Sequence, residues 1–235
     1  MIDQLCKVFV RPVILILSVF LLSATSAWAQ APAINWSLDA AIRQIERQAK
    51  DFDTAMARVE IVETADDGSE ISKSTGTGFI REDGNIRYNI DGGQLVTFVD
   101  RSTVSNYDAT AGTVEEYSLN KHKDRLEPFT RLGFSTTGSD MKKDYLITVV
   151  GEENIGDART VVMELTPERD SVRETVRLIR LYIDQASWMP VRQVFKATKD
   201  GTTLTMTYTG MARNLELKPE LFRDKWPRDT KTIRK

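Results

Sequence analysis

Few residues in this chain have the types and spacing that bond-making chemistry requires. His122 is the only histidine and sits in Lys121-His-Lys-Asp-Arg125, a charged stretch that reads as a solvated loop. The only cysteine, Cys6, lies close to the N-terminus. Zinc and other soft metals need several nitrogen or sulfur ligands, so no metal site is expected. One exposed histidine and a set of turn-embedded serines do not assemble a nucleophile, base and orienting acid. Carboxylates are paired at Asp66 and Asp67, Glu115 and Glu116, and Glu152 and Glu153. Neighbours on a strand point to opposite faces and acids in turns are solvated, so none of these pairs spans a cleft as glycoside hydrolysis demands. Gly76-Thr-Gly78 lacks the helix and the lysine-serine signature of a phosphate loop, and reads instead as a bulge or sharp bend in a strand. No cofactor is implied.

Binding chemistry remains. Arg81 and Arg87 flank the turn 82–85, and Arg177 and Arg180 fall in a strand that is otherwise apolar. At a solvated strand edge such charges need no partner. Turned into an apolar concavity each must find one, and could then hold a cover shut or orient the polar end of a ligand. Trp188, in a turn, and Trp226, in the tail, read as packing anchors before ligand platforms.

The elements that position these residues are mainly strands. Segments 145–151, 160–165, 176–184, 190–198 and 203–210 carry the Val, Ile, Thr, Tyr and Phe bias of strands. Turn chemistry at 154–157, 185–188 and 199–201 separates them, the last containing Asp200-Gly201. No connection is long enough for a helical crossover, so the sheet is antiparallel. In 176–183, Arg177, Ile179, Leu181 and Ile183 interleave with Val176, Leu178, Arg180 and Tyr182, so both faces are largely apolar. In 204–208 the alternation is clean, with Leu204, Met206 and Tyr208 on one face. A strongly curved sheet with something lying in its concave face satisfies both patterns.

Upstream, Ser37 is a helix N-cap, with Asp39 in the first turn and Leu38, Ala41, Ile42, Ile45, Ala49 and Phe52 on one face. Mixed charges opposite favour a helix packed on a sheet over one lying on a membrane. From Thr54 the period becomes two. Strands are expected at 55–63, 70–75, 79–81, 86–90, 95–100, 103–107 and 114–119, with hairpin turns at 66–69 and 82–85. Strand signals stop between Asn120 and Asp144. Asp124 could cap a short helix with Leu126, Phe129 and Leu132 on one face, ended by Gly133, and 135–139 reads as flexible loop. Such a helix can be a moving lid or a static cover. The tail 214–235 carries Leu215, Leu217, Leu221, Phe222 and Trp226 among prolines and charges, an extended strap with a frayed basic end.

The first residues read as an export signal. Lys7 and Arg11 precede the apolar run 13–22, and Ala27-Trp-Ala29 then gives a small-x-small cleavage pattern before Gln30. Residues 1–29 are therefore a signal peptide and 30–235 one domain, disulfide-free and soluble once cleaved. Removing Asp3, Lys7 and Arg11 takes 32 basic and 34 acidic residues to 30 and 33, a net charge of −3. A nucleic-acid binder carries a basic footprint, so that partner class is excluded.

The order of these features resembles a known family. The signal, the helix ending at Phe52, Gly76-Thr-Gly-Phe-Ile-Arg, Asn85-Ile-Arg-Tyr and the strand containing Tyr107 resemble the N-terminal half of LolA, the bacterial lipoprotein carrier. Arg131-Leu-Gly-Phe, Tyr145-Leu-Ile-Thr-Val-Val-Gly-Glu-Glu, Val162-Met-Glu-Leu-Thr-Pro, Leu181-Tyr-Ile-Asp and Leu215-Glu-Leu-Lys-Pro-Glu-Leu-Phe are similar to the divergent branch called outer-membrane lipoprotein-sorting proteins. The resemblance implies an α+β, mainly β fold, an incomplete antiparallel β-barrel covered by helices around an apolar cavity. It also implies a non-enzymatic periplasmic carrier of acylated lipoprotein or lipid, working between an inner-membrane donor and an outer-membrane acceptor. In the family an Arg-Pro pair helps control the lid; Glu82 and Asp83 stand at that place here, and Arg81 could substitute after a register shift.

On this reading Phe79, Ile86, Leu95, Phe98, Ile179, Leu181, Leu204 and Met206 are candidate cavity lining and Arg81 or Arg87 a candidate gating charge. The protein is expected to be a monomer. Two other classes stay open: a lipid-sensing or signalling module on the same fold that binds a protein partner, and an acyl-ester hydrolase.

Overall fold

The computed structural model describes residues 35–91, 95–99, 103–118, 132–223 and 226–235, with the backbone alone at 95–99. All of these lie in one unit, 32–235. Helix α1 (Leu38–Lys50) starts at Ser37, whose hydroxyl accepts from the Ala40 amide, as the sequence predicts. Its buried face is Ala41, Ile42, Ile45 and Gln48, one position earlier at its end than the expected Ala49.

Strands β1 (Thr54–Thr64), β2 (Glu70–Arg81), β3 (Ile86–Ile90), β4 (Leu95–Val99), β5 (Thr103–Asp108) and β6 (Thr113–Ser118) form a first meander. Helix α2 (Gly138–Asp144) leads into a second: β7 (Tyr145–Ile155), β8 (Ala158–Pro167), the short α3 (Asp170–Arg173), β9 (Val176–Asp184), β10 (Pro190–Ala197) and β11 (Thr203–Arg213). The second meander folds back so that β11 pairs with β1, and a last strand, β12 (Lys231–Arg234), joins the far edge. The resulting order is β12-β6-β5-β4-β3-β2-β1-β11-β10-β9-β8-β7. The sheet is open and curved, not closed into a barrel, and its concave side holds the core together with α1 and α2. This is the incomplete, mainly antiparallel barrel that the resemblance implies.

Three local expectations need correction. Gly76 and Gly78 mark no bulge, because β2 runs through them in regular register with β1 and β3. They allow close approach instead: a Cβ on Gly76 would lie 2.4 Å from the Asn89 carbonyl oxygen, and one on Gly78 would lie 2.8 Å from the Tyr88 ring. One of the sheet's register shifts is at the β1–β11 seam, beside Gly210 with φ +60°. Residues 135–139 are not flexible loop either. Thr137 caps α2 by accepting from the Asp140 amide, and Gly138 sits so close to α1 that a Cβ would lie 2.4 Å from Ile42. The basic end of the tail is not frayed, because β12 pairs in parallel with β6. The expected helix 124–132 lies, except for Leu132, outside the described residues, as does His122.

Two contacts fix α1 at its ends. At the C-terminus, Arg213 donates to the carbonyls of Gln48 and Asp51 at 3.3 and 3.1 Å, and Asn214, at φ +51°, donates to Asp51 at 2.8 Å. A cation here complements the negative end of the helix dipole. At the N-terminus, Lys142 of α2 reaches Asp39 at 2.8 Å. Just before the helix, the Asn35 amide donates to Glu152 of β7 at 2.9 Å, and Trp36 meets Trp188 edge to face at 4.6 Å.

Replacing Gly76 by Ala is expected to lower stability by about 1–3 kcal/mol, because the β3 backbone at Asn89 and Ile90 must move. Gly151→Ala, in β7 with open space around the added carbon, should leave it unchanged or raise it slightly. Urea midpoints of the two variants check this. A second expectation concerns Glu152, whose carboxyl is held down at about 2 by hydrogen bonds from Gln185, the Asn35 amide and Arg159. A lowered acid contributes stability above its ordinary value of 4.5 and loses it as pH falls through about 2. The Asn35 amide resonance should titrate in that window, and Glu152→Gln should abolish the titration.

Candidate functional site

Period two divides the sheet into two chemically different faces. The concave side is built from facing rows: Ala55, Ala57, Val59 and Ile61 on β1, Ile80 on β2, Ile86 and Tyr88 on β3, and Met206 and Tyr208 on β11. Beyond these, Gln193 and Phe195 of β10 pair with Leu181 and Ile179 of β9, which pair in turn with Met163 and Leu165 of β8. Ala41, Ile42 and Ile45 of α1, Met141 of α2, and the turn residues Leu132 and Phe134 pack over this floor.

Of the predicted lining residues, Ile86, Ile179, Leu181 and Met206 are buried in this one cluster, with Leu204 packed half-buried at its margin. Phe79 does not join them. Its neighbour Ile80 takes the concave position, and Phe79 pairs with Arg87 on the other parity. Leu95 and Phe98 lie on β4, where Phe98 pairs with Arg87 and Ser105, and Leu95 with Asp108.

Both predicted gating arginines also stand on the convex face. Arg81 chelates Asp83, at 3.0 Å through Nε and 2.5 Å through a terminal nitrogen, and stacks over Phe222 at 4.8 Å. Arg87 donates to Asn89 at 2.7 Å and to the Leu221 carbonyl at 3.3 Å. They therefore seat the 3-10 turn Pro219–Phe222 of the tail, and Trp226 continues that seam by stacking on Tyr107 at 5.0 Å. On β9, Arg177 is exposed and Arg180 binds Glu164, at 3.0 Å through Nε. No charged residue is fully buried among the described residues.

The polar chemistry of the concave face is neutral, and most of it escaped the sequence reading. Tyr208 donates to Gln193 Oε1 at 2.8 Å, and the Tyr88 hydroxyl lies 3.3 Å from the Tyr208 hydroxyl. Gln193 Nε2 donates to the Leu132 carbonyl at 2.6 Å. Leu132 O can only accept, so the amide must present nitrogen to it and oxygen to Tyr208; Tyr208 spends its hydrogen on that oxygen, and Tyr88 therefore donates to Tyr208. Burial pushes the Tyr88 hydroxyl up to about 12 and Tyr208 well above its ordinary value. Phe134 packs edge to face on Tyr208 at 5.3 Å. The alternation of β10 carried the missed signal: Gln193 shares its face with Phe195, and a lone amide in an apolar row must be hydrogen-bonded.

No protein-family model matches this sequence, and no curated protein matches it. Solved structures do. The chain is similar to an uncharacterized conserved protein from Thermus thermophilus, at 13% identity and a TM-score of 0.53, over 85% of this chain and 100% of that one. It is also similar to a LolA superfamily protein from Nitrosomonas europaea, at 16% identity and a TM-score of 0.40, covering 78% and 97% of the two chains. A third likeness is to the lipoprotein LppX of Mycobacterium tuberculosis, at 15% identity and a TM-score of 0.46, over 77% and 98%. At these identities the likeness is one of fold. No helix among the described residues is long and apolar enough to cross a membrane.

Tyr208→Phe removes the middle of the hydrogen-bond chain and leaves the Gln193 carbonyl oxygen buried without a donor. Its expected cost is about 1–3 kcal/mol, read as a lowered urea midpoint. Tyr88→Phe strands no acceptor that needs its hydrogen and should cost less.

Proposed function

We propose that this chain is an exported, non-enzymatic carrier that takes acyl chains of lipoproteins or lipids against its concave face and hands them on through the periplasm towards the outer membrane. The observation that carries the reading is the make-up of that face. It is a continuous apolar floor spanning both meanders, neutral around Tyr88, Tyr208 and Gln193, with charge held only towards its ends, where Arg213 meets the α1 carbonyls and Glu152 meets Gln185, the Asn35 amide and Arg159. Such a surface suits a flexible alkyl chain, whose removal from water is worth about 0.8 kcal/mol per CH₂. The resemblance of the sequence motifs to lipoprotein carriers points the same way.

Ile86, Ile179, Leu181, Leu204 and Met206 are the residues we assign to the acyl-binding floor. The helices and the 132–134 turn already cover it, so cargo must displace part of that cover. Helix α1 is pinned at both ends, whereas Leu132 and Phe134 belong to a short turn held by their burial, by the Gln193 hydrogen bond and by the Tyr208 ring contact. The turn is the cheaper part to move. Transfer of this kind needs a donor at the inner membrane and an acceptor at the outer, and a monomeric carrier suffices.

A partner-binding role for the same scaffold is favoured by one further observation. Among the described residues, strand β7 pairs only with β8, and Leu146 and Val150 on it are 63% and 40% exposed. An apolar, open strand edge is a ready surface for another chain.

Protein purified from the periplasm of its own host, examined by native mass spectrometry with lipid extraction, should carry acylated peptide or phospholipid. Leu204→Arg, at the margin of the floor, should weaken binding of an acyl probe by about tenfold, or ~1.4 kcal/mol. Cargo-free protein that also ignores added lipopeptide and fatty-acyl probes would overturn the carrier reading and leave the partner-binding one.

A further inference from the structure

We infer that Gln193, backed by Tyr208 and Tyr88, is a carbonyl-binding subsite for the ester or amide linkage of an acyl ligand, and that the Leu132 carbonyl holds the ligand's place when none is bound. This rests on the proposed acyl-binding role of the concave face and adds the chemistry of the ligand's polar end.

The hydrogen-bond chain has a direction. Tyr88 donates to Tyr208, Tyr208 to Gln193 Oε1, and Gln193 Nε2 to Leu132 O at 2.6 Å. Each member polarises the next, so the amide ends the chain as a reinforced donor. Gln193 is 3% exposed, and its surroundings include Met206, Phe134 and Leu132. If the 132–134 turn moves to admit a chain, that donor loses its acceptor in a dry environment, which is costly unless the ligand supplies one. A carbonyl oxygen replaces what leaves, atom for atom. An alkane does not, because it leaves the donor unsatisfied.

A free fatty acid fits less well for a different reason. Its carboxylate brings a full charge, and the described residues place no buried cation beside the subsite. The two tyrosines stay protonated, so they offer hydrogen bonds but no counter-charge. The subsite thus selects bound acyl groups, in lipoprotein or glycerolipid, over their free hydrolysis products. This selection follows from neutrality alone and needs no contact with the rest of the head group.

Competition for a fluorescent acyl probe tests the inference with two ligands of equal chain, monododecanoylglycerol and dodecanoate, below their micellar concentrations near neutral pH. The intact protein is expected to favour the ester by roughly tenfold, and Gln193→Leu and Tyr208→Phe each to reduce that preference several-fold. Thermal melts accompany each variant so that binding is compared between folded proteins. If both ligands bind and the acid binds as tightly as the ester, the subsite is refuted and the acyl-binding role stands. An ester preference that survives in both variants places the selectivity elsewhere and likewise refutes it. If neither ligand displaces the probe and the probe itself does not bind, both readings fall together.

Discussion

The antiparallel ladder between β1 and β11 is the contact on which the rest of the molecule depends. Each meander is local, because its strands pair with sequence neighbours through short turns. The seam joins residues roughly 150 positions apart, such as Val59 with Tyr208 and Ile61 with Met206. Only across it do the two apolar rows become one floor. The same seam places α1, since β11 ends at Arg213 and Asn214, which hold the carbonyls at the helix C-terminus. The irregularity at Gly210 lies a few residues before these groups and shifts the register in which they arrive. A non-local closure of this kind adds little to loop entropy per doubling of length, but it delays folding until both halves are formed.

Charge is kept out of the middle of the concave floor, and desolvation explains why; Arg213 and Glu152, towards its ends, are met by carbonyls and by donors respectively. A guanidinium turned into the concave floor would need a buried counter-ion and full hydrogen bonding merely to break even. On the convex face Arg81 and Arg87 meet Asp83, Asn89, the Leu221 carbonyl and the Phe222 ring, all close to water. There they attach the tail, whose Phe222 and Trp226 shield the outer side of the first meander. The tyrosine–glutamine chain satisfies its own hydrogen bonds without a net charge, leaving the floor chemically tolerant of an alkyl chain.

Where the sequence was legible, one periodicity dominated. The cap at Ser37, the turns at Asp83-Gly84 and Gly156-Asp157, and the clean alternation of Leu204, Met206 and Tyr208 all appear as read. Parity failed where neighbours were both apolar: Phe79 and Ile80 are equally suited to burial, and only pairing with Ile86 decides that Ile80 turns inward. Helix α2 was lost because Gly138-Ser-Asp-Met-Lys-Lys-Asp offers a single apolar residue, Met141, and its stability comes from packing on α1. The parallel strand β12 leaves no local trace at all, since its partner lies over a hundred residues away. Gln193 was visible as a residue but not as a site, because its meaning depends on Tyr208 and on a carbonyl in a different segment.

The energetics of the cover follow from exchanging like for like. On the proposed carrier reading, lifting the 132–134 turn exposes Leu132 and Phe134 and breaks the Gln193–Leu132 hydrogen bond, and seating a chain buries apolar area in exchange and can restore that bond. The two changes nearly cancel, which a carrier requires: a ligand can shift an equilibrium only by its differential affinity for the two states. Were the interior anchored by a buried ion pair, opening would leave charges stranded and cost several kcal/mol before any cargo entered. With a neutral chain of donors, the polar part of the opening cost is one buried amide left unpaired, ~1–3 kcal/mol, beside the exposure of Leu132 and Phe134 at about 1.5–3 kcal/mol each. On the proposed carrier reading the methylenes of the cargo, at about 0.8 kcal/mol each, offset both, so net affinity is set by chain length and release needs an acceptor that offers the same chain a slightly better surface.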